Sequence, residues 1–195
     1  DVIVSGVGGP ADVVLRSSNL RVVRLGHPAA VLRAVTAREG AGGGIQLDAG
    51  LLTNCWILGN APGYVNGAGL NMASGIATRC LIAWNTATTH DTIAPAGGVY
   101  QSGGLITDSI ICSNVAAGGS LGVGGGGIFM NGASCRVRNC LIAGNRATSQ
   151  GVGNGGGVVL LQGAMEHCTI VSNSCATERT GGGLYKTGGA VTYCV

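Results

Sequence analysis

Short apolar alternations recur along this chain from Gly42 onward, each following a run of glycines. An aliphatic residue comes directly after a third glycine at Gly44, Gly69, Gly98, Gly127, Gly157 and Gly183. Eleven residues past each of these, or thirteen in the fourth unit, stands Cys55, Cys80, Ser109, Cys140, Cys168 or Cys194. Two further on come Ile57, Ile82, Ile111, Ile142 and Ile170, and five past the cysteine column come Asn60, Asn85, Asn114, Asn145 and Asn173. A unit repeating every 25 to 31 residues means turns that stack on one another and share one core. The pattern predicts a strand after each glycine run (Ile45 to Leu47, Val99 to Gln101, Ile128 to Met130) and a second strand through the cysteine column and the Ile. The Asn then turns the chain into a loop.

The spacing from Asn to the next third glycine varies from 9 to 13 residues while that from cysteine column to Asn stays at five, so length variation is confined to one edge of the stack. Residues 1–40 lack the signature but carry β-branched runs at Val13 to Leu15, Leu20 to Leu25 and Ala30 to Val35, which predict an irregular first turn or two. The expected division is thus an irregular start over 1–40 and regular repeats over 41–195. The last turn is expected to be incomplete, because Val195 comes directly after Cys194 with no Ile or Asn beyond it. Leucine-rich repeats are a rival, since Leu52, Cys55, Ile57 and Asn60 fit their consensus. The residues after each Asn argue against them: stretches such as Ala61-Pro62-Gly63 and Gly151-Val152-Gly153 disfavour the helical segment by about 1 kcal/mol per glycine. The expected fold class is therefore all-β, a right-handed parallel β-helix (β-solenoid) of about six regular turns.

Gly42-Gly43-Gly44-Ile45 with Ile57 to Asn60, and Gly155-Gly156-Gly157-Val158 with Ile170 to Asn173, resemble the repeats of secreted bacterial right-handed parallel β-helix proteins. The polymorphic outer-membrane proteins are the best-known relatives. The likeness spans roughly residues 42 to 195, and Asn19 to Leu32 is similar to the first turn such proteins place before their repeats. Ile replaces their Phe and Gly their Ala, and no barrel segment is read here, so autotransport is not expected. The resemblance implies an extracellular or cell-surface location and a structural or adhesive role.

Composition narrows the function classes. Charged residues are only 10% of the chain and its net charge is +3, with five arginines (Arg16, Arg21, Arg24, Arg33 and Arg38) in the first forty residues. Nucleic-acid binding needs a denser basic surface with stacking aromatics, so none is expected. No run of eighteen apolar residues and no signal-peptide pattern is read, hence no membrane insertion. No C-x-x-C pair or His–Cys cluster points to zinc, and no cofactor is expected.

Stacking turns each repeat position into a stripe with rungs about 4.8 Å apart. The Ile column and the cysteine column point inward, the cysteines as buried free thiols, with rung-to-rung disulfides such as Cys55 to Cys80 the alternative. The asparagines form a hydrogen-bonded ladder at a bend. Trp56, Leu81, Ile110 and Leu141, followed by Thr169, point outward on a face that should be wet. Such a stripe marks a contact surface, either under the chain's own loops or against another copy or an adjoining repeat. A second outward stripe, Gln46, Asn71, Tyr100, Phe129, Val159 and Tyr185, is the candidate for contact with surface glycans through Tyr100, Phe129 and Tyr185.

Parallel β-helices host many polysaccharide lyases and hydrolases, which makes a polysaccharide-active enzyme or a carbohydrate-binding module the alternative, although fold alone does not give function. Of the acids Asp1, Asp12, Glu39, Asp48, Asp91, Asp108, Glu166 and Glu178, no two share a short motif. Asp108 and Glu166 approach the same edge about two rungs apart, near the upper limit for a glycosidase pair. His27, His90 and His167 are scattered. The reading is a non-catalytic rod without a catalytic or metal site.

Overall fold

The structure, a computed structural model, describes residues 3–63, 66–89, 96–118, 124–148, 154–176 and 181–195. Among these there is no helix: the strands form parallel ladders in 13-, 7- and 4-stranded sheets, stacked as the coils of a β-solenoid of about six turns.

Each coil has three short strands and often a fourth. The first follows the glycines, as at Ile45–Leu47, Leu70–Met72 and Val99–Gln101. A second, which the sequence pattern did not separate, follows at Leu51–Thr53, Ile76–Thr78 and Leu105–Thr107. The third is Trp56–Leu58, Leu81–Ala83, Ile110–Cys112, Leu141–Ala143 and Thr169–Val171. A fourth, as at Thr86–Thr89 and Val115–Gly118, leads toward the variable loops. The strand expected to run through the cysteine column is therefore broken. Asn54, Arg79, Asp108, Asn139, His167 and Tyr193, each just before the column, have φ between 50° and 53°. A left-handed residue bends the chain there, and the cysteine sits at the corner.

The first bend has its own marker. Gly50, Gly75, Gly104, Gly163 and Gly189 all have positive φ, and each lies six residues past a third glycine. In the fourth unit this glycine is missing. There one strand, Ile128–Arg138, runs through both the first and second positions with its register shifted around Asn131 to Arg136, and that absorbs the two extra residues.

Residues 3–40 join the same ladders. Val23–Leu25 pairs with Ile45–Leu47, Val31–Arg33 with Leu51–Thr53, and Thr36–Arg38 with Trp56–Leu58. In this coil Val35 occupies the cysteine position, Ala37 the Ile position and Gly40 the Asn position, so it is regular in backbone while its side chains depart from the repeat.

The core runs the length of the stack. Ile57, Ile82, Ile111 and Ile142 are fully buried, one above another, against Leu52, Ala77, Ile106, Val137 and Met165 of the second strands. The third glycines are required by space. A Cβ on Gly98 would stand 2.5 Å from the Gly127 carbonyl oxygen of the next coil and 2.9 Å from Nδ2 of Asn114. Gly44, Gly69, Gly127 and Gly157 are crowded in the same way by Asn60, Asn85, Asn145 and Asn173, but Gly183 meets only Ile170 Cγ2 at 3.5 Å. Overpacking of this kind costs about 1–3 kcal/mol. Gly98→Ala is expected to lower the free energy of urea unfolding by at least that amount, and Gly183→Ala to change it by less than about 0.5 kcal/mol.

Candidate functional site

Two inward columns hold the bends on either side of the third strand. Nδ2 of Asn85 donates to the Ile57 carbonyl (2.9 Å) and to Oδ1 of Asn114 (2.9 Å), while its own Oδ1 accepts from Nδ2 and from the backbone N–H of Asn60 (2.9 and 3.0 Å). Asn114 repeats the pattern with Ile82 and Asn145, and Asn145 with Ile111 and Asn173. Asn60, Asn85, Asn114 and Asn145 are fully buried, so every amide hydrogen is used where water cannot reach. Asn173 closes the series by donating to the Ile142 carbonyl.

The cysteine column serves the other bend. Cys80 Sγ donates to the Thr78 carbonyl two residues back (3.2 Å), as Cys55 does to Thr53, Cys140 to Arg138 and Cys168 to Glu166. Ser109 makes the same bond to Thr107 at 2.7 Å, which explains why serine stands in this column. All eight cysteines are thiols. Burial pushes the Cys80 thiol up to about 12, and hydrogen bonding with Cys168 together with burial raises Cys140.

Between these two bends lies the outer face of the third strands. Trp56, Leu81, Ile110, Leu141 and Thr169 are in register on consecutive coils. Ile110 and Leu141 are exposed, at 43% and 37%, while Trp56 and Leu81 are half-buried. The sequence pattern missed a second outward column two residues on: Leu58, Ala83, Cys112, Ala143 and Val171, also in register. Strand alternation with a period of two could have found it. Nine of these ten positions are apolar and none carries a charge, but Ala83 is fully buried, so eight apolar positions and Thr169 reach the surface. Toward the chain start the stripe closes at Thr36, buried as its hydroxyl donates to the Pro10 carbonyl. Trp84, 61% exposed, stands at the bend beside the face.

The second stripe is less open than its alternation suggests. Tyr100 and Phe129 stack with ring centroids 5.4 Å apart and planes 7° from parallel. Phe129 and Val159 are nonetheless buried, packed with Ala96 among Tyr100, Leu161 and Tyr185. Tyr100 and Tyr185 keep partial exposure on either side of this small second core.

Among the described residues the acids are engaged one by one with other partners. Glu166 pairs with Arg138 at 2.6 Å, and that guanidinium holds its carboxyl below the usual range. Asp108 accepts hydrogen bonds from Asn139 and Thr107, which lower it likewise. A general acid needs the opposite shift. Asp1, Asp91, Glu178 and His90 lie outside the described residues. A cleft of about 390 Å³ near the first coils is lined mainly by Val4, Val23, Leu25, Val31 and Leu32, with Arg24 and His27 at its margin and no acid. A depression of about 270 Å³ holds Arg136, Arg138 and the ion-paired Glu166.

Scans against family models, curated proteins and solved structures find no match to the chain.

Asn114→Ala removes the Nδ2 donor to the Ile82 carbonyl and leaves the Nδ2 and backbone N–H of Asn85 without their acceptor, while Oδ1 of Asn145 keeps the backbone N–H of residue 114; each group left buried and unpaired costs about 1–3 kcal/mol. Urea denaturation is therefore expected to show a loss of at least about 3 kcal/mol. The raised Cys80 thiol gives a pH signature. Above the unfolded-state value near 9 the unfolded chain loses this proton while the fold keeps it, so stability falls toward pH 12 by up to about 1.4 kcal/mol per pH unit. Cys80→Ser is expected to make that decline shallower in denaturation curves taken between pH 8 and 11.

Proposed function

We propose that this chain is a non-catalytic rod, extracellular or at a cell surface, that serves as a structural or adhesive module through the outer face of its third strands. The observation that carries the reading is that face: eight apolar positions of the nine that reach the surface over five coils, uncharged, beside the exposed Trp84. With rungs about 4.8 Å apart and a width of about 15 Å between bends, the face covers roughly 360 Å² in plan. Contiguous apolar surface on that scale is commonly functional. The alternation that builds the core needs apolar residues only at the inward centre of each third strand, so folding does not account for the outward ones. Asp108 and Glu166, held by Asn139 and Arg138 with lowered carboxyls, do not suit the general acid that a glycoside hydrolase needs. The extracellular placement rests on the likeness of the repeats to secreted β-helix proteins.

Retention on octyl-agarose tests the face directly. Ile110→Glu with Leu141→Glu is expected to abolish retention while leaving the thermal midpoint within about 3 °C, because both side chains are exposed. Retention unchanged by the double variant would contradict the reading. So would release of reducing ends or unsaturated uronate products from neutral or acidic polysaccharides above the buffer rate.

A further inference from the structure

We propose that the partner of this face is a second copy of the chain, packed face to face with its solenoid axis antiparallel. The inference rests on the contact-face reading above and adds the identity and orientation of the partner. It is carried by the order of residues across four consecutive coils, those of Trp56, Leu81, Ile110 and Leu141.

The bend column before the third strand reads Asn54, Arg79, Asp108 and Asn139 on these coils, all exposed. The bend column after it reads Gly59, Trp84, Ser113 and Gly144. When the order of coils is reversed, the end residues of each series match, Arg79 meets Asp108 in the middle of the first and Trp84 meets Ser113 in the middle of the second. A two-fold axis parallel to the strands, passing between the Leu81 and Ile110 coils, performs that reversal. It sets Arg79 opposite Asp108 of the second copy, Asn54 opposite Asn139, and Gly59 opposite Gly144. Between the bends it sets Leu81 on Ile110 and Trp56 on Leu141, and across the second column Leu58 on Ala143, with Cys112 over the buried Ala83. Each contact occurs twice, as an isologous interface requires.

The other face-to-face arrangement, with the axis along the solenoid, brings the Arg79–Asp108 column against the Trp84–Ser113 column. Neither charge then meets an opposite one, so charge placement selects the antiparallel pair. Polar residues bound the block at both ends: Thr36, covered by Pro10, on one side, and Thr169 on the other. Within the face there is no charge to bury unpaired, and the two ion pairs fall at the rim, where they give orientation more than affinity. Four coils cover roughly 300 Å² in plan. That is small beside the standard interface of about 800 Å² per partner, so the pair is weak and concentration-dependent.

Sedimentation equilibrium from about 5 to 500 µM reads this directly, at low and at high salt. The wild-type chain is expected to move from monomer to dimer within that range, and Ile110→Glu to stay monomeric. Arg79→Asp places two acids across the interface and Asp108→Arg two bases, so each is expected to weaken dimerisation at least tenfold. The combined R79D/D108R restores opposite charges and is expected to return the dissociation constant to within about threefold of wild type. Arginine already occupies this bend conformation at position 79, so circular dichroism and the thermal midpoint should report D108R as folded. A wild-type monomer at 500 µM, or a double variant no better than either single one, overturns the proposal. If octyl-agarose retention is still lost in I110E/L141E, the contact face survives and only its pairing with a second copy fails. If retention is unchanged as well, both fall.

Discussion

Every feature of this solenoid depends on one contact, the asparagine amide packed against a glycine of its own coil and hydrogen-bonded to the asparagine of the next. Asn114 shows both halves. Its Nδ2 leaves no room for a Cβ on Gly98, and its amide joins Ile82, Asn85 and Asn145 across coils. The side-chain ladder holds register because an amide with all its hydrogen bonds used in a dry interior has no second position of comparable energy. Register matters more here than in an ordinary sheet, since a one-residue slip in a strand would turn its inward Ile outward. The ladder therefore keeps the aliphatic column of Ile57, Ile82, Ile111 and Ile142 within the core, and by the same alternation it keeps Trp56, Leu81, Ile110 and Leu141 outside.

The cysteine column completes this frame at the opposite bend. A residue at φ near 50° turns the chain, and the thiol or hydroxyl of the next residue donates back to the carbonyl two residues before it. Small size and one donor are what the corner asks for, which Cys and Ser share. Val35, in the coil before that of Cys55, meets the size requirement alone. Third strands held between two such bends are short and stacked in register, and from Trp56 to Val171 their outer side chains carry no charge.

Much of this was legible in the residues, and the remainder was hidden for physical reasons. The solenoid, its glycine and asparagine columns and the inward Ile could be read because space and buried hydrogen bonding admit almost no other side chain at those positions. The second strand was not separated, because its signal is a single glycine, such as Gly50 or Gly75, that marks a positive φ rather than an apolar alternation. The coil before that of Cys55 was hidden because Val35, Ala37 and Gly40 keep the backbone geometry with different side chains. Half of the outer face is masked more simply. Leu58, Ala83, Cys112, Ala143 and Val171 lie between the Ile and Asn columns, and their varied sizes form no repeat of their own beside those two constant positions. The burial of Phe129 beside Tyr100 could not be read at all, since alternation places a side chain outside the sheet but does not say what covers it.

The central claim is that the asparagine–glycine ladder is the most firmly held part of the fold. Native-state hydrogen exchange resolved to single amides tests it most directly. The backbone N–H groups of Asn60, Asn85 and Asn114, each donating to the Oδ1 of the next coil's asparagine, should exchange only through global unfolding, with the slowest rates in the chain. Exchange of these amides through local opening, ahead of the neighbouring third-strand amides, would contradict the account.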